Sequence, residues 1–227
     1  MFKRSRLPHA FVCVFVGVLG IMSAPLSARA DENVRPTATA TAADAAQARV
    51  QGFAADVLRA RDAQGRPFAV LDKSAAMLWV FDAQGRLLAR TFALVGQAEG
   101  DVAPPDIGVR PLSKVRPAEK ITSAGRFETT SGVNTHGEDI VWLDYSQALS
   151  MHRVRDVRGE ARLARIRNPD PRVRRITFGC VNLPAPFYNR YINPLFARKP
   201  GVVYVLPEVL PLGQVFGFVR GASGVLP

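Results

Sequence analysis

The sequence predicts a mostly β domain preceded by one helix. Apolar runs of strand length fill residues 68–96 and are interrupted by turn signatures such as Asp82-Ala83-Gln84-Gly85, which predicts three strands in a meander. Stretches rich in Ile, Val, Trp, Phe and Tyr return between 121 and 154, and residues 202–206 form a further apolar run that predicts a buried strand. Ahead of the strands, residues 42–61 place apolar side chains near helical spacing, so we expect an amphipathic helix that packs on the domain from outside.

The N-terminus has the pattern of an export signal. A basic head precedes an unbroken run of apolar residues and glycines from Ala10 to Met22, and Ala28-Arg29-Ala30 is a small-x-small cleavage site. We expect residues 1–30 to be a signal peptide that is removed, residues 31–41 to be a flexible leader, and residues 62–227 to form one domain after the helix. The predicted location is the periplasm or the cell envelope.

The chain is strongly basic. It has 30 lysines and arginines against 19 acidic residues, and a formal net charge of +11. A basic exported protein is suited to an anionic neighbourhood such as the cell wall or phospholipid head groups. The export signal argues against nucleic acid as a partner.

Cysteine usage singles out one residue. Cys13 leaves with the signal, so Cys180 is a lone cysteine in a compartment where cysteines usually pair as disulfides. It is either a small buried apolar residue or a reactive thiol that is kept free. A nucleophilic cysteine needs a base, and the candidates are His136 in a polar turn and His152 within an apolar, strand-like segment. His152 is the better placed, and Gly179 before the cysteine permits a turn that presents backbone N–H groups to an oxyanion.

Metal catalysis is poorly supported. Two histidines and one cysteine without close ligand spacing do not make a zinc site, and no glycine-rich phosphate loop is present in the sequence. We therefore expect no metal and no cofactor.

The stretch Arg174 to Pro184, "RRITFGCVNLP", preceded by "SMHRV", resembles the signature of the L,D-transpeptidase catalytic domain (YkuD) family. The resemblance extends over about residues 68–207: "KITSAGRFETTSG" is similar to a threonine-proline-x-glycine-x-phenylalanine segment of the family, and "NLPAPFYNRYI" is similar to the helix after its cysteine. It implies that residues 62–227 form an L,D-transpeptidase-like β-sandwich catalytic domain with a leading N-terminal helix and a short helix after the cysteine.

The same resemblance implies the chemistry. Cys180 would attack a peptidoglycan stem peptide at an L,D bond, release the terminal D-alanine and hold the remainder as a thioester that an amine resolves. His152 would be the base, with its ring oriented by the main-chain carbonyl of Arg153. Backbone N–H groups of Gly179 and Cys180 would line the oxyanion hole.

Loop support is implied for three more residues, namely Thr177, Phe178 and Asn182. The chain departs from the family at three points: Phe178 stands where histidine is common, Ser123 stands where proline is common, and the spacer between His152 and Thr177 is longer. Two further interpretations therefore stay open beside the transpeptidase. Water could resolve the thioester, giving a peptidoglycan or lipoprotein-linkage hydrolase, or the site could be catalytically decayed in an envelope-binding scaffold.

Two long segments have no role in that signature. Prolines exclude central strand or helix from residues 100–120, which predicts a surface loop. The segment Arg153–Arg175 contains nine arginines against three acidic residues, which predicts either a solvated loop or a cationic rim that contacts anionic lipid or cell wall. We expect the protein to be a monomer.

Overall fold

The computed structural model describes residues 38–219, so the predicted signal peptide and most of the predicted leader lie outside the described residues. Helix α1 spans Ala38–Ala60, and eleven strands follow it in the described part of the chain. Their bounds are β1 Phe68–Asp72, β2 Met77–Phe81, β3 Leu87–Phe92, β4 Val95–Gly96, β5 Gly125–Glu128, β6 Thr130–Val133, β7 Asp139–Asp144, β8 Leu149–Arg153, β9 Arg175–Thr177, β10 Val181–Leu183 and β11 Val202–Leu206.

Two sheets hold most of these strands. The larger has the order β3-β2-β1-β11-β5, in which β1 pairs antiparallel with β2 and parallel with β11. The smaller has the order β10-β8-β7-β6, and its β10–β8 pair is parallel. The short strands β4 and β9 pair with each other in parallel. The β1 to β3 meander and the strand at 202–206 agree with the sequence pattern.

The central strands β1, β2 and β11 of the large sheet are buried on both faces, which explains why they read as continuous apolar runs. Successive side chains of a strand point to opposite faces. One face of the sheet packs against the smaller sheet and forms a core of alternate residues from both: Ala69, Leu71, Leu78, Val80, Val203 and Val205 with Val141, Leu143, Met151, Val181 and Leu183. The arrangement is a two-sheet sandwich.

The opposite face of the large sheet is covered by α1. Its apolar stripe includes Ala46, Val50, Phe53 and Val57, and these residues pack on side chains of the central strands and on Phe216 near the end of the described chain. Aromatic rings form the centre of this layer, with Phe53 meeting Tyr204 edge-on at a centroid distance of 5.3 Å. The amphipathic helix predicted at 42–61 is present and begins at Ala38.

The remaining helical elements are short. They comprise α2 Arg162–Arg165, α3 Ala185–Phe187, a π-helical segment Tyr188–Ala197 that continues α3, α4 Leu212–Val215, and the 3-10 turns Leu112–Lys114, Pro117–Glu119 and Pro171–Arg174. The mostly β class, the leading helix and the helix after Cys180 are thus confirmed. Between residues 38 and 219, no helix is long and apolar enough to cross a membrane.

Candidate active site

The parallel strands β8 and β10 bring the predicted base and nucleophile together. His152 is on β8 opposite Asn182 of β10, and Cys180 immediately precedes β10. Because side chains two residues apart share a face, Ser150 and His152 lie on the same side of the sheet as Cys180 and Asn182. The residues between them, Met151 and Val181, point into the sandwich core. The alternation of side chains along β8 and β10 thus places the candidate catalytic residues on one face of the sheet and core residues on the other.

Both ring nitrogens of His152 have partners. Nδ1 lies 2.9 Å from the main-chain carbonyl oxygen of Arg153, which can only accept a hydrogen bond. Nε2 lies 3.0 Å from Nδ2 of the Asn182 side-chain amide, which can only donate. The ring is therefore neutral in this arrangement, with its proton on Nδ1 and its lone pair on Nε2.

The thiol of Cys180 is partly exposed and is free of any disulfide. Its Sγ donates to the carbonyl oxygen of Ala148 at 3.2 Å and lies 3.4 Å from the hydroxyl of Ser150. Ionisation of the thiol is opposed by burial, but the neighbouring imidazole of His152, together with Ser150, outweighs burial and lowers the pKa of Cys180 below its usual value. The sulfur lies in surroundings that favour thiolate.

The pKa of His152 changes in the complementary direction. Burial lowers it, whereas the neighbouring thiol of Cys180 and the carbonyl of Arg153 outweigh burial, so the pKa lies above its usual value. The charge of Arg162 opposes this rise. A lowered thiol pKa beside a raised imidazole pKa is the pattern of a coupled Cys–His pair.

The turn before Cys180 requires glycine. Gly179 has a φ of +137°, and a Cβ at this position would lie 2.8 Å from the carbonyl oxygen of Ile121. Thr177 closes the turn, because its hydroxyl donates to the carbonyl of Cys180 at 2.7 Å and accepts from the N–H of Gly179 at 3.2 Å. Of the two predicted oxyanion donors, the Gly179 N–H therefore has a side-chain acceptor within the turn.

Thr122 is a buried residue of the site that sequence reasoning missed. Its hydroxyl donates to the carbonyl of Gly179 at 2.6 Å and accepts from the N–H of Gly96 at 2.8 Å. It therefore connects the cysteine turn to β4. Ser150 was also missed, since a serine on a strand has no signature until its neighbours across the sheet are known.

Cys180 and His152 open into a cavity of about 440 Å³ with two different halves. One part of the lining is apolar and is formed by Ala103, Ile107, Leu112 and Val115 of the proline-rich segment and by Ile121 just after it. The other part is polar and is lined by Asn134, His136, Arg155, Glu160 and Arg162. Apolar and charged side chains therefore both line the cavity into which Cys180 opens.

Phe178 belongs to the apolar half. It packs against the cluster of Ala103, Ile107 and Val115, and the ammonium group of Lys120 lies 4.0 Å from the centre of its ring. Ser123 connects the same segment to the β7–β8 turn, since its hydroxyl donates to Gln147 at 2.5 Å and accepts from the N–H of Ala103 at 3.2 Å. Both residues at which the chain departs from the family pattern thus hold the proline-rich segment beside the site.

The arginine-rich segment is mostly engaged in intramolecular contacts. Arg174 is 1% exposed and donates to main-chain carbonyls, and Arg175 pairs with Glu208. Arg153 pairs with Asp139 and lies over the ring of Tyr188. Exposed guanidinium groups remain at positions such as Arg158, Arg167 and Arg172. The solvated-loop interpretation holds for part of the segment only, and the contact with anionic lipid or wall stays a prediction.

His136 lies in an exposed turn at the edge of the cavity and donates its backbone N–H to Asn134. No group of three or more His, Cys, Asp or Glu side chains suited to a metal ion occurs within residues 38–219. The sequence-predicted residues that the fold brings together are Cys180, His152, Asn182, Thr177, Gly179, Phe178 and the carbonyl of Arg153.

Comparison with known proteins gives weak likenesses. No family model matches the chain, and no curated protein does. Among solved structures, it is similar to the Ldtfm–avibactam carbamoyl enzyme, with 15% identity over 62% of this chain and 49% of that one and a TM-score of 0.37. A cysteine-to-serine mutant of an Enterococcus faecium L,D-transpeptidase gives 15% identity, 62% and 50% coverage and a TM-score of 0.35.

The catalytic domain of the E. faecium L,D-transpeptidase, solved by NMR, gives 16% identity over 63% of this chain and 98% of that one, with a TM-score of 0.33. The matched part spans about half the length of the first two proteins. At these levels of similarity the geometry of the site, and not the likeness, has to support a function.

Proposed function

We propose that this chain is an exported cysteine acyltransferase of the L,D-transpeptidase type, which acts on peptidoglycan stem peptides through a thioester on Cys180. The observation that supports it best is the juxtaposition of Cys180 with the neutral imidazole of His152 on adjacent parallel strands at one cavity. A nucleophile beside a base whose ring is oriented by a third group is the arrangement of acyl-transfer enzymes.

The first step begins with proton transfer. The S–H bond of Cys180 breaks as a proton moves to Nε2 of His152, and the thiolate attacks the carbonyl carbon of the donor peptide bond. The oxyanion is stabilised by the backbone N–H of Cys180, and by that of Gly179 once this N–H leaves the hydroxyl of Thr177. Collapse breaks the C–N bond, His152 returns the proton to the leaving amine of the terminal D-amino acid, and the acyl group stays on sulfur as a thioester.

The second step reverses the roles. An incoming amine loses a proton to His152 as its nitrogen attacks the thioester, and Sγ leaves as thiolate. If water takes the place of the amine, the protein is the hydrolase of the same thioester chemistry. Export, a periplasmic or envelope location and a monomeric state belong to this proposal, and the basic charge of the chain suits a wall substrate.

Purified peptidoglycan, or a disaccharide-tetrapeptide isolated from it, tests the substrate. We expect mass spectrometry to show release of the terminal D-alanine together with either cross-linked peptides or free tripeptide ends, and neither with Cys180→Ala. Cross-links would identify the transferase and free tripeptides the hydrolase. Binding to peptidoglycan with no product at any pH would overturn both and identify a scaffold.

A further inference from the structure

Arg162 connects the arginine-rich segment to the reactive centre. It begins α2, and its side chain is only 12% exposed. Nε donates to Oε2 of Glu160 at 2.5 Å, and Nη1 donates to Oδ1 of the Asn182 side chain at 3.0 Å. Asn182 is fully buried and in turn contacts Nε2 of His152. A continuous series of hydrogen bonds therefore runs from a guanidinium group to the imidazole.

The chemistry of that series allows only one arrangement of protons. A guanidinium group has donors and no acceptor, so the Asn182 atom that faces Arg162 must be the oxygen. The amide nitrogen then faces His152, and Nε2 must accept from it. At the other side of the ring the carbonyl of Arg153 requires the proton on Nδ1. Arg162 and the Arg153 carbonyl therefore select the same tautomer from opposite ends.

We infer that Arg162 is a positioning residue for the general base: by orienting the Asn182 amide, it holds His152 as the neutral imidazole whose lone pair is on Nε2. The inference rests on the proposed function, because it assigns to Nε2 the proton taken from Cys180. Without Arg162 the amide could rotate by 180° and present its oxygen to Nε2. That orientation favours a proton on Nε2 and removes the base.

The same contacts act against premature protonation. A proton on Nε2 would face the N–H of Asn182, donor against donor, and Arg162 prevents the amide from turning to relieve this contact. The charge of Arg162 also lowers the pKa of His152. The other titratable or charged side chains that line the cavity are Cys180, His136, Arg155 and Glu160, and Glu160 is ion-paired with Arg162 itself. Loss of Arg162 should therefore make imidazolium easier to form.

Two measurements on the full chain test the inference without any peptidoglycan substrate. Long-range ¹H–¹⁵N NMR of histidine-labelled protein reads the tautomer and the protonation midpoint of His152, with its signals assigned through His152→Gln. The pH dependence of Cys180 alkylation by iodoacetamide reports the titration midpoint of the thiol, which is coupled to His152. The variants are Arg162→Met, Arg162→Lys and Arg165→Met. The last is the matched control, because Arg165 is on the same helix and, within residues 38–219, donates only to the carbonyls of Glu160 and Val173.

In the wild type we expect one neutral tautomer, protonated on Nδ1. Arg162→Met should give a mixture of tautomers and raise the midpoint of His152 by on the order of one pH unit, the size of one lost charge interaction in a partly buried site. Arg162→Lys should restore at least half of that difference, and Arg165→Met should leave both profiles unchanged. Wild-type tautomer and midpoint in folded Arg162→Met would overturn the inference.

If Arg162→Met does not fold, Asn182→Asp decides the matter. The new carboxylate would still pair with Arg162 but would present an acceptor to Nε2, so His152 should be imidazolium at neutral pH. A neutral His152 in that variant would also contradict the inference. Failure of the proposed function looks different: the wild type would show the expected tautomer, yet Cys180 would form no acyl adduct with any acylating probe.

Discussion

The side-chain amide of Asn182 donates a hydrogen bond to Nε2 of His152 at a distance of 3.0 Å, and this contact occupies the lone pair that must receive the proton of Cys180. The thiol meanwhile donates to the carbonyl of Ala148. In the resting protein, His152 and Cys180 are therefore each hydrogen-bonded to a third group and not to each other. Proton transfer requires the Cys180 S–H to replace the Asn182 N–H at Nε2, a change of side-chain positions and not of the fold.

The coupled pair predicts a pH profile. Because the pKa of the Cys180 thiol is lowered and thiolate is the nucleophile, the rate of alkylation should rise with pH through a midpoint below that of an ordinary cysteine, about 8.5. His152→Ala removes the main group that stabilises thiolate and leaves burial, which raises the pKa, opposed by Ser150 alone, so the midpoint should move to higher pH than in the wild type. Rates measured with iodoacetamide between pH 5 and 10 check this. His136→Ala is the control and should follow the wild type.

Thr122 should be important for stability and for reactivity together. Thr122→Val keeps the shape of the side chain but leaves the N–H of Gly96 and the carbonyl of Gly179 without their hydroxyl partner. We expect a loss of about 1–3 kcal/mol in the free energy of unfolding and slower alkylation of Cys180. Thr130→Val, on an exposed position of β6, should change neither quantity measurably. Equal stability of the two variants in urea titrations would refute this role of Thr122.

Two glycine substitutions should have opposite effects. Gly179→Ala meets both an unfavourable φ and a carbonyl oxygen at 2.8 Å, so it should destabilise the protein and abolish selective labelling of Cys180. Gly52→Ala lies on the exposed side of α1 with nothing near its new methyl group, so it should stabilise the protein by about 0.5–1 kcal/mol. Thermal unfolding and mass spectrometry measure both. A stabilised or normally reactive Gly179→Ala variant would show that the turn tolerates a side chain.

A buried ionic cluster of Lys73, Asp101 and Glu208 predicts that the protein loses stability in acid. Burial opposes ionisation of Asp101, but hydrogen bonds from Lys73 and from the N–H groups of Leu210, Glu208 and Val209 outweigh it and lower its pKa to about 2. A carboxyl group with a depressed pKa stabilises the fold above its unfolded pKa of about 3.9, and the stabilisation is lost as pH falls towards the folded value. Asp101→Asn should therefore cost about 2 kcal/mol at pH 7 and progressively less below pH 4.

Urea titrations at several pH values measure that difference. The pair of Arg110 with the exposed Asp106 supplies the control, because solvent screens such a pair and Asp106→Asn should change stability little at any pH. A constant penalty for Asp101→Asn from pH 7 down to pH 2.5 would contradict the assigned role of the carboxylate. The cluster matters for the site because Lys73 also donates to the carbonyl of Thr122 at 2.9 Å.

Phe178 should have little effect on the pKa of the Cys180 thiol but should stabilise the proline-rich segment, residues 100–120. Phe178→Ala removes the ring that packs on Ile107 and Val115, so hydrogen exchange in residues 100–120 should accelerate. The midpoint of Cys180 alkylation should stay within about half a pH unit of the wild type, since the ring contributes no titratable group. A large shift of that midpoint would mean that the aromatic ring itself tunes the nucleophile.

Local pattern was enough to predict the strands and to select Cys180 and His152 as the candidate pair. Apolar runs between turn signatures marked the meander, α1 had a helical stripe, and Gly179-Cys180 stood out once the cysteines were counted. Asn182 and the carbonyl of Arg153 followed from the family resemblance. These are features that adjacent residues encode, or that a short motif carries.

The other parts of the site depend on contacts between segments far apart in the chain. Thr122 is 57 residues from Gly179, and a threonine in an ordinary strand-like stretch gives no sign of such a partner. Arg162 is one of nine arginines in the segment Arg153–Arg175. Only the folded structure shows that it contacts Asn182, whereas some of its neighbours are exposed. Phe178 departs from the family pattern, and its packing role is seen only in the structure, where it contacts the apolar side chains of the proline-rich segment.

Acylation of Cys180 in the native protein decides whether this thiol is a nucleophile. A carbapenem is a suitable probe, because thiolate attack opens its strained ring, forms an S–C bond and breaks the ring C–N bond, and the adduct keeps the full mass of the drug. Intact mass spectrometry should show one adduct in the wild type, a weaker one in His152→Ala and none in Cys180→Ala. No adduct on the native protein, with alkylation of Cys180 only after unfolding, would show that the cysteine is structural and would contradict the account.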